Sequence, residues 1–145
     1  MGGLFREITI PRLGSGPGYS NPENATMVVE YFLLQGNECL AWHRIDHETP
    51  WHYHEGDVAE IAWIDLIAER YDSLILGPAN EKCLPIQIVP AHCWHSLWCR
   101  GVYSLLSRIQ LCGAAKTEML SDFYHEAGKL KRLFPELDQS KPFMV

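Results

Sequence analysis

The sequence predicts an all-β sandwich or barrel that is followed by one α-helix. Most of the 145-residue chain consists of short runs rich in β-branched and aromatic residues. Turn-forming residues interrupt these runs about every eight to twelve positions, which is typical of sandwiches and barrels. Only the segment from Thr117 to Phe134 repeats apolar residues at spacings of three and four, as an amphipathic helix does.

The predicted strands follow one another from the N-terminus at residues 4–10, 26–34, 38–45, 49–54, 60–68, 73–77, 85–89, 94–98 and 102–111. Gln35-Gly36-Asn37 signals a turn, so we expect the second and third of these strands to pair as a hairpin. The run at 60–68 is strongly apolar, and its periodicity does not separate strand from helix. Residues 14–24 predict a loop because they are rich in Gly, Ser, Pro and Asn.

The helix at about 117–134 has an N-terminal capping residue in Thr117 or Ser121, and Pro135 disfavours its continuation. Basic residues in its C-terminal half suit the helix dipole. We expect a single domain over residues 1–145, with the barrel at about 4–112 and the helix outside it.

Composition excludes several classes of function. The net charge is −6 and no basic stripe is present, so we expect no nucleic-acid partner. No apolar run reaches the roughly 20 residues of a membrane span, and no secretory signal begins the chain. The five cysteines are odd in number and form no Cys-x-x-Cys pair, which indicates reduced thiols in a cytoplasmic protein.

Histidine is the residue type that points to chemistry. Six of the seven histidines lie between His43 and His95, in clusters at residues 41–56 and 89–95. Imidazole titrates near neutral pH and binds metals, so two converging clusters indicate a chemical site. Side chains alternate along a strand, which places Glu48, His52 and His54 on one face and Trp51 and Tyr53 on the other.

Two chemistries remain open for these histidines. A metal site from His43, Glu48 or His52, and His95 would suit one divalent Fe, Mn, Ni or Zn ion. However, Glu48 and His52 would lie roughly 13 Å apart along a straight strand, so the chain would have to bend between them. The alternative is acid/base chemistry without any cofactor, for which the pKa of imidazole is well matched.

Several motifs resemble those of the cupin superfamily. Pro90-Ala91-His92-Cys93-Trp94-His95 resembles the second cupin motif, Pro-x-Gly-x-x-His, with His92 in place of the glycine. In the looser first motif, His43 takes the position of the second ligand histidine, Ala41 replaces the first, and Gly56 matches the later glycine.

A family of small, mostly uncharacterised cupins provides the more specific resemblance. Five separated pieces match its pattern in order, at residues 2–7, 31–34, 41–44, 51–57 and 89–94. The resemblance implies a jelly-roll β-barrel with an internal pocket, often as a homodimer, and a relation to metal-free sugar epimerases. In this chain Thr49 occupies the position at which the family usually has Glu.

The leading hypothesis is therefore an enzyme that moves protons on a small polar substrate, as an isomerase, epimerase, cyclase or lyase. His43 would be the base, and His95 or Tyr53 the acid or orienting group. The predicted substrate-binding residues are Trp42, Arg44, Trp51, His52, His54 and Trp94. A metal-dependent oxygenase or hydrolase and a non-catalytic binding protein are the alternatives.

Overall fold

A computed structural model describes residues 3–11, 25–36, 38–111 and 116–135, and it describes the side chains of 27–36, 38–110 and 116–135. The strands are β1 Gly3–Pro11, β2 Ala25–Gln35, β3 His43–Ile45, β4 Thr49–Gly56, β5 Ala59–Asp65, β6 Arg70–Leu76, β7 Ile86–Val89, β8 Trp94–Cys99, β9 Tyr103–Leu111 and β10 Thr117–Met119. One α-helix, α1, spans Tyr124–Leu133. The predicted all-β jelly-roll barrel with a C-terminal helix is confirmed. The predicted loop at 14–24 lies outside the described residues.

Two five-stranded antiparallel sheets form the barrel, in the orders β1-β2-β9-β4-β7 and β10-β3-β8-β5-β6. The predicted hairpin between 26–34 and 38–45 is wrong. Both sides of β2 are taken by long ladders with β1 and β9. The chain after β2 therefore crosses to the other sheet, where only His43–Ile45 forms a strand. Strands β3 and β4 follow one another in the chain but belong to different sheets.

The main core lies between the two sheets. Trp51, Leu34, Ile61, Leu97 and Leu106 are fully buried there. At about 25 cal/mol per Å² of apolar surface, side chains of this size supply most of the stabilisation of a small barrel. The apolar run at 60–68, which the pattern left open, begins as strand β5, which has β6 and β8 on its two sides and ends at Asp65.

A second core lies between the outer face of the second sheet and α1. It contains Trp42, Trp94, Leu120 and Leu130, all buried. Trp42 and Trp94 were predicted to wall the substrate pocket, and the structure places them under the helix instead. Strand alternation explains this placement: Trp42 precedes His43 and Trp94 precedes His95, so each tryptophan points away from the barrel interior when its neighbour points inward.

The helix begins later than the pattern predicts, at Tyr124 rather than near Thr117. Thr117–Met119 pairs with β3 as an edge strand, and Leu120–Asp122 forms a short 3-10 turn. The three-residue strand β3 has an open side that β10 covers, and the Leu120 amide donates to the Trp42 carbonyl at 2.9 Å. Backbone pairing at a sheet edge therefore overrides the helical spacing of the first apolar residues.

The turn before β8 contains His92 in a left-handed conformation, with a φ of +66°. His92 occupies the glycine position of the second cupin motif, where glycine would adopt this φ without steric cost. Its amide donates to the Ile45 carbonyl at 2.8 Å, which fixes the turn against the end of β3. The backbone of the motif is thus kept although its glycine is not.

Four of the five cysteines, Cys39, Cys83, Cys93 and Cys99, are buried and unbridged. Burial raises the pKa of the Cys93 thiol to about 11, so this group is a packing residue rather than a nucleophile. Cys112 lies outside the described residues. Among the described helical residues, no segment combines the length and apolar character of a membrane span.

Arg44 ties α1 to the barrel. Its Nε donates to Glu118 at 3.0 Å and its Nη1 donates to Glu126 at 2.9 Å. Its guanidinium carbon lies 4.4 Å from the centre of the Trp94 ring and 4.8 Å from that of Phe123. Arg44 was predicted to hold an anionic substrate group. Its charge is instead used in these contacts on the helix side of the sheet.

Substituting Arg44 with alanine is expected to lower the free energy of unfolding by about 1–2 kcal/mol, since it removes partly exposed ion pairs and two cation–π contacts. Arg44→Met is the matched control, because it keeps the aliphatic stem that packs on Trp94. Hydrogen exchange of the α1 amides should accelerate more in Arg44→Ala than in Arg44→Met. Unchanged exchange in both variants would show that α1 is held by its apolar face alone.

Candidate functional site

Two rows of buried side chains face each other across the barrel interior. Cross-strand pairing aligns each row. In the first sheet, Arg108 on β9 pairs with Glu30 on β2 and with Trp51 on β4. In the second sheet, His95 on β8 pairs with His43 on β3 and with Trp63 on β5. All of these residues are buried. The rows touch where the guanidinium of Arg108 reaches His43 and the indole of Trp51 reaches His95.

The structure brings together His43 and His95, the two histidines to which the sequence assigned the main chemical roles. Their ring centroids lie 4.2 Å apart. His43 comes from β3 and His95 from β8, and direct cross-strand pairing places them side by side. The two clusters therefore contribute one inward-facing histidine each.

Backbone carbonyls fix the tautomer of both rings. Nδ1 of His43 lies 2.9 Å from the Ala41 carbonyl oxygen, and Nδ1 of His95 lies 3.1 Å from that of Cys93. A carbonyl oxygen only accepts, so Nδ1 carries the proton in each ring. Nε2 is then an acceptor in each neutral ring. For His43 the donor is Nη1 of Arg108 at 3.0 Å, and for His95 it is Nε1 of Trp51 at 3.4 Å.

Both imidazoles are neutral at physiological pH. Burial, together with the neighbouring His95 and Arg108, holds the pKa of His43 well below its usual 6.5. Burial lowers the pKa of His95 to about 3, because the charged ring would lose its hydration. The cavity therefore presents an uncharged acceptor nitrogen beside a permanently charged guanidinium.

Arg108 is the site residue that sequence reasoning missed. Its Nε and Nη2 donate to Oε1 of Glu30 at 2.9 and 2.7 Å, and Nε2 of Gln110 donates to the same oxygen at 2.5 Å. The rings of Phe32 and Trp51 lie 5.1 and 5.4 Å from its guanidinium carbon. Strand alternation could have indicated this residue. It places Glu30 on the same face of β2 as apolar residues, and a charged side chain on such a face requires a buried partner of opposite charge.

A cavity of about 160 Å³ opens at this point, lined by Phe32, Leu40, Ala41, His43, Arg108, Thr117 and Met119. Three of the five guanidinium N–H groups are used by Glu30 and His43, and the other two have no partner within the described part of the chain. A larger hollow of about 640 Å³ runs along α1, but it contacts neither His43 nor His95. The guanidinium of Arg108 and the imidazole of His43 therefore both face the smaller cavity.

The remaining candidates from the first cluster lie elsewhere. The Tyr53 hydroxyl donates to the Gly56 carbonyl at 2.6 Å, so it is engaged at the end of β4, and Tyr53 does not line the cavity. His52 and His54 lie on the outer face of the first sheet with ring centroids 4.5 Å apart, and Nε2 of His54 lies 2.8 Å from the Ser107 hydroxyl. Of the predicted substrate-binding residues on β4, the structure places Trp51 inside the barrel.

A family model described as "Cupin superfamily (DUF985)" matches residues 1–113 of the chain. The chain belongs to this cupin family. No curated protein matches this cupin.

Solved structures share the fold of this cupin. Protein SO0799 from Shewanella oneidensis is 19% identical, with a TM-score of 0.71 over 96% of this chain and 85% of that one. A hypothetical protein from Leishmania major is 20% identical, with a TM-score of 0.69 over 99% and 87% of the two chains. A dTDP sugar isomerase from Desulfovibrio desulfuricans is 13% identical, with a TM-score of 0.53 over 81% and 82%.

The residues of this cupin do not fit the metal site whose ligand positions belong to the general cupin motifs. Ala41 stands in the place of the first ligand histidine, Glu48 is exposed, and His52 lies on the face of β4 opposite Trp51. Within the described ranges, no group of three or more His, Cys, Asp and Glu side chains is placed to hold a metal ion. Of the metal set suggested from the sequence, the structure brings together His43 and His95, whereas Glu48 precedes β4 and strand alternation turns His52 to the outer face.

Proposed function

We propose that this cupin binds a small carboxylate in the cavity beside Arg108 and transfers a proton on it through His43, as an isomerase, epimerase or lyase does. One observation carries the proposal: an acceptor nitrogen and a guanidinium lie 3.0 Å apart at a cavity whose other walls are largely apolar. A general base and an anion anchor are the two groups that proton abstraction next to a carboxylate requires.

Arg108 is suited to anchor the carboxylate. Guanidinium binds carboxylates through paired N–H donors, and two of its N–H groups lack partners within the described residues. Glu30 and the aromatic rings of Phe32 and Trp51 fix its position before any ligand arrives. Pre-organisation of this kind reduces the entropy lost on binding.

Binding of the anion would also strengthen the base. Glu30 already balances the charge of Arg108, so a bound carboxylate adds one uncompensated negative charge to a buried site. Protonation of His43 supplies the matching positive charge, and the pKa of His43 rises from its lowered value when the ligand is bound. The base is therefore weak in the empty site and gains strength when substrate is present.

His43 Nε2 is the atom that takes the proton, because Nδ1 is held by the Ala41 carbonyl. In the empty site this nitrogen accepts from Nη1 of Arg108, so the bound carboxylate must first draw Nη1 to its own oxygen and free the lone pair. The neighbouring ring of His95 is a positioning group: it packs at 4.2 Å and its own Nε2 accepts from Trp51. The substrate proton must lie on an atom adjacent to the carboxylate, since the guanidinium and the imidazole are in hydrogen-bond contact.

The cavity volume limits the substrate. A cavity of about 150 Å³ holds a benzene molecule, so the 160 Å³ here suits a ligand of about six heavy atoms or slightly more. Phe32, Leu40 and Met119 would contact its hydrocarbon part. One structural neighbour is described as a dTDP sugar isomerase, which supports isomerisation as a chemistry that this fold can host.

Deuterium exchange tests the proposal and does not require that the product be identified. Small 2-hydroxy carboxylates of about the cavity's size would be screened for an increase in melting temperature and then incubated with the protein in D₂O. For a ligand that binds, NMR should show loss of the proton next to the carboxylate. His43→Gln should slow this exchange by about 10²–10⁴-fold while the ligand still binds.

His125→Gln is the matched control, because His125 is an exposed histidine on α1. It should leave both binding and exchange unchanged. Exchange that persists at the full rate in His43→Gln would overturn the assignment of the base.

Ligand binding without turnover is the second candidate function, and the lowered pKa values of both histidines favour it. A carboxylate that raises the melting temperature and shows no proton exchange on long incubation would select ligand binding over enzymatic turnover.

The homodimer expected from the resemblance and the cytoplasmic location stay predictions. Analytical ultracentrifugation tests whether the protein is a homodimer.

A further inference from the structure

We propose that Arg108 is the resident cation of this site and excludes divalent metals from it, so that removing Arg108 uncovers a latent metal site at His43 and His95. The inference concerns the empty protein and does not depend on the identity of any substrate. It gives a physical reason for the mismatch between this chain and the metal site implied by its cupin motifs.

The first argument is the position of the guanidinium. Nδ1 of both histidines donates to a carbonyl, which leaves Nε2 as the nitrogen of each ring that is free of a proton and able to coordinate a metal. Nη1 of Arg108 lies 3.0 Å from Nε2 of His43, on the lone pair that a metal would use. A metal ion would have to displace the guanidinium to reach this atom.

The second argument is charge. Arginine does not lose its proton in proteins, and Arg108 is buried, so its positive charge is poorly screened by solvent. A divalent cation placed beside it would be strongly repelled. Two hydrogen bonds to Glu30 and the rings of Phe32 and Trp51 hold the guanidinium in place, and a cation, unlike a carboxylate, offers Nη1 no acceptor to turn towards.

The third argument is what remains when Arg108 is removed. His43 and His95 are adjacent, and the carbonyl partners of their Nδ1 atoms leave Nε2 of each ring without a proton. Glu30, on the other side of the guanidinium, loses its cation and becomes a buried carboxylate without a counter-charge. The two neighbouring imidazoles are donors that first-row metals accept, and water can fill the other coordination positions.

Cobalt(II) titration of the full chain tests this inference, with the visible absorption of the bound ion as the readout. Wild type should show no saturable binding that depends on His43. Arg108→Ala should bind one equivalent with an affinity about tenfold or more above that of wild type. His43→Gln/Arg108→Ala should lose the gain, which separates this site from adventitious binding at the exposed His92 and His125.

Glu30→Gln/Arg108→Ala provides a second route if Arg108→Ala does not fold, because it removes both members of the buried ion pair and keeps both histidines. It should still bind cobalt(II) more tightly than Glu30→Gln alone. Stoichiometric cobalt binding by wild type that His43→Gln abolishes would overturn the inference. So would the absence of any gain in affinity in both Arg108 variants.

Discussion

Replacing Arg108 with methionine is expected to lower the free energy of unfolding by about 3–5 kcal/mol, because it leaves the buried carboxylate of Glu30 without a counter-charge. Glu30 accepts two hydrogen bonds from Arg108, at 2.7 and 2.9 Å, and would keep only the one from Gln110. Methionine fills most of the volume of the arginine stem, so the loss reports charge rather than packing.

Urea denaturation of three variants separates the effect of the lost charge from that of lost packing. Arg108→Met should show the full loss, and Glu30→Gln/Arg108→Met should recover most of it because the pair is then neutral. Lys116→Met is the matched control: Lys116 also pairs with a glutamate, Glu118 at 3.7 Å, but its side chain is 72% exposed, Glu118 keeps its contact with Arg44, and the pair should contribute less than about 1 kcal/mol. Equal losses in Arg108→Met and Lys116→Met would contradict the account of the buried pair.

Stability is also expected to fall as the pH drops below 6.5. The pKa of His95 is about 3 in the folded protein and near 6.5 when unfolded, so between these values the unfolded chain binds more protons. The contribution of neutral His95 to the unfolding free energy is therefore fully present above pH 6.5 and is lost as the pH falls towards 3. Each unit of pKa difference corresponds to about 1.4 kcal/mol, and the lowered pKa of His43 acts in the same direction.

Urea denaturation at a series of pH values within this window provides the measurement. His95→Gln should flatten the dependence of the unfolding free energy on pH, whereas the exposed-residue control His125→Gln should leave it unchanged. Asp46 affects only the acidic end of this pH range. Its hydrogen bond with His47 lowers the pKa of Asp46 below the ordinary 3.8, so its contribution to the unfolding free energy is fully present above pH 3.8 and is lost below it. Parallel curves for wild type and His95→Gln would show that His95 is not buried in its neutral form.

Local pattern predicted much of the fold. Alternation assigned Trp51 and Tyr53 to one face of β4 and His52 and His54 to the other, and the structure has this arrangement. The same rule turns Trp42, Arg44 and Trp94, the neighbours of the two inward histidines, away from the barrel interior. The structure places all three on the helix side of the second sheet, away from the cavity beside Arg108.

Long-range pairing was beyond the sequence. Glu30 and Arg108 are 78 residues apart, and only the register of β2 against β9 places them side by side. Nothing in the turn after β2 shows that the chain leaves the first sheet, because that choice depends on β9 occupying the edge of β2. The histidine pair was predictable from motif resemblance, whereas its charged partner depended on the topology.

Nitrogen-15 NMR of the imidazole rings tests the central claim most directly, which is that the cavity presents a neutral acceptor nitrogen beside a buried guanidinium. For the ligand-free protein at neutral pH, we predict that His43 and His95 are both neutral with the proton on Nδ1, and that a bound carboxylate moves His43 towards the charged form. A charged ring, or a proton on Nε2 of His43 in the free protein, would contradict the account.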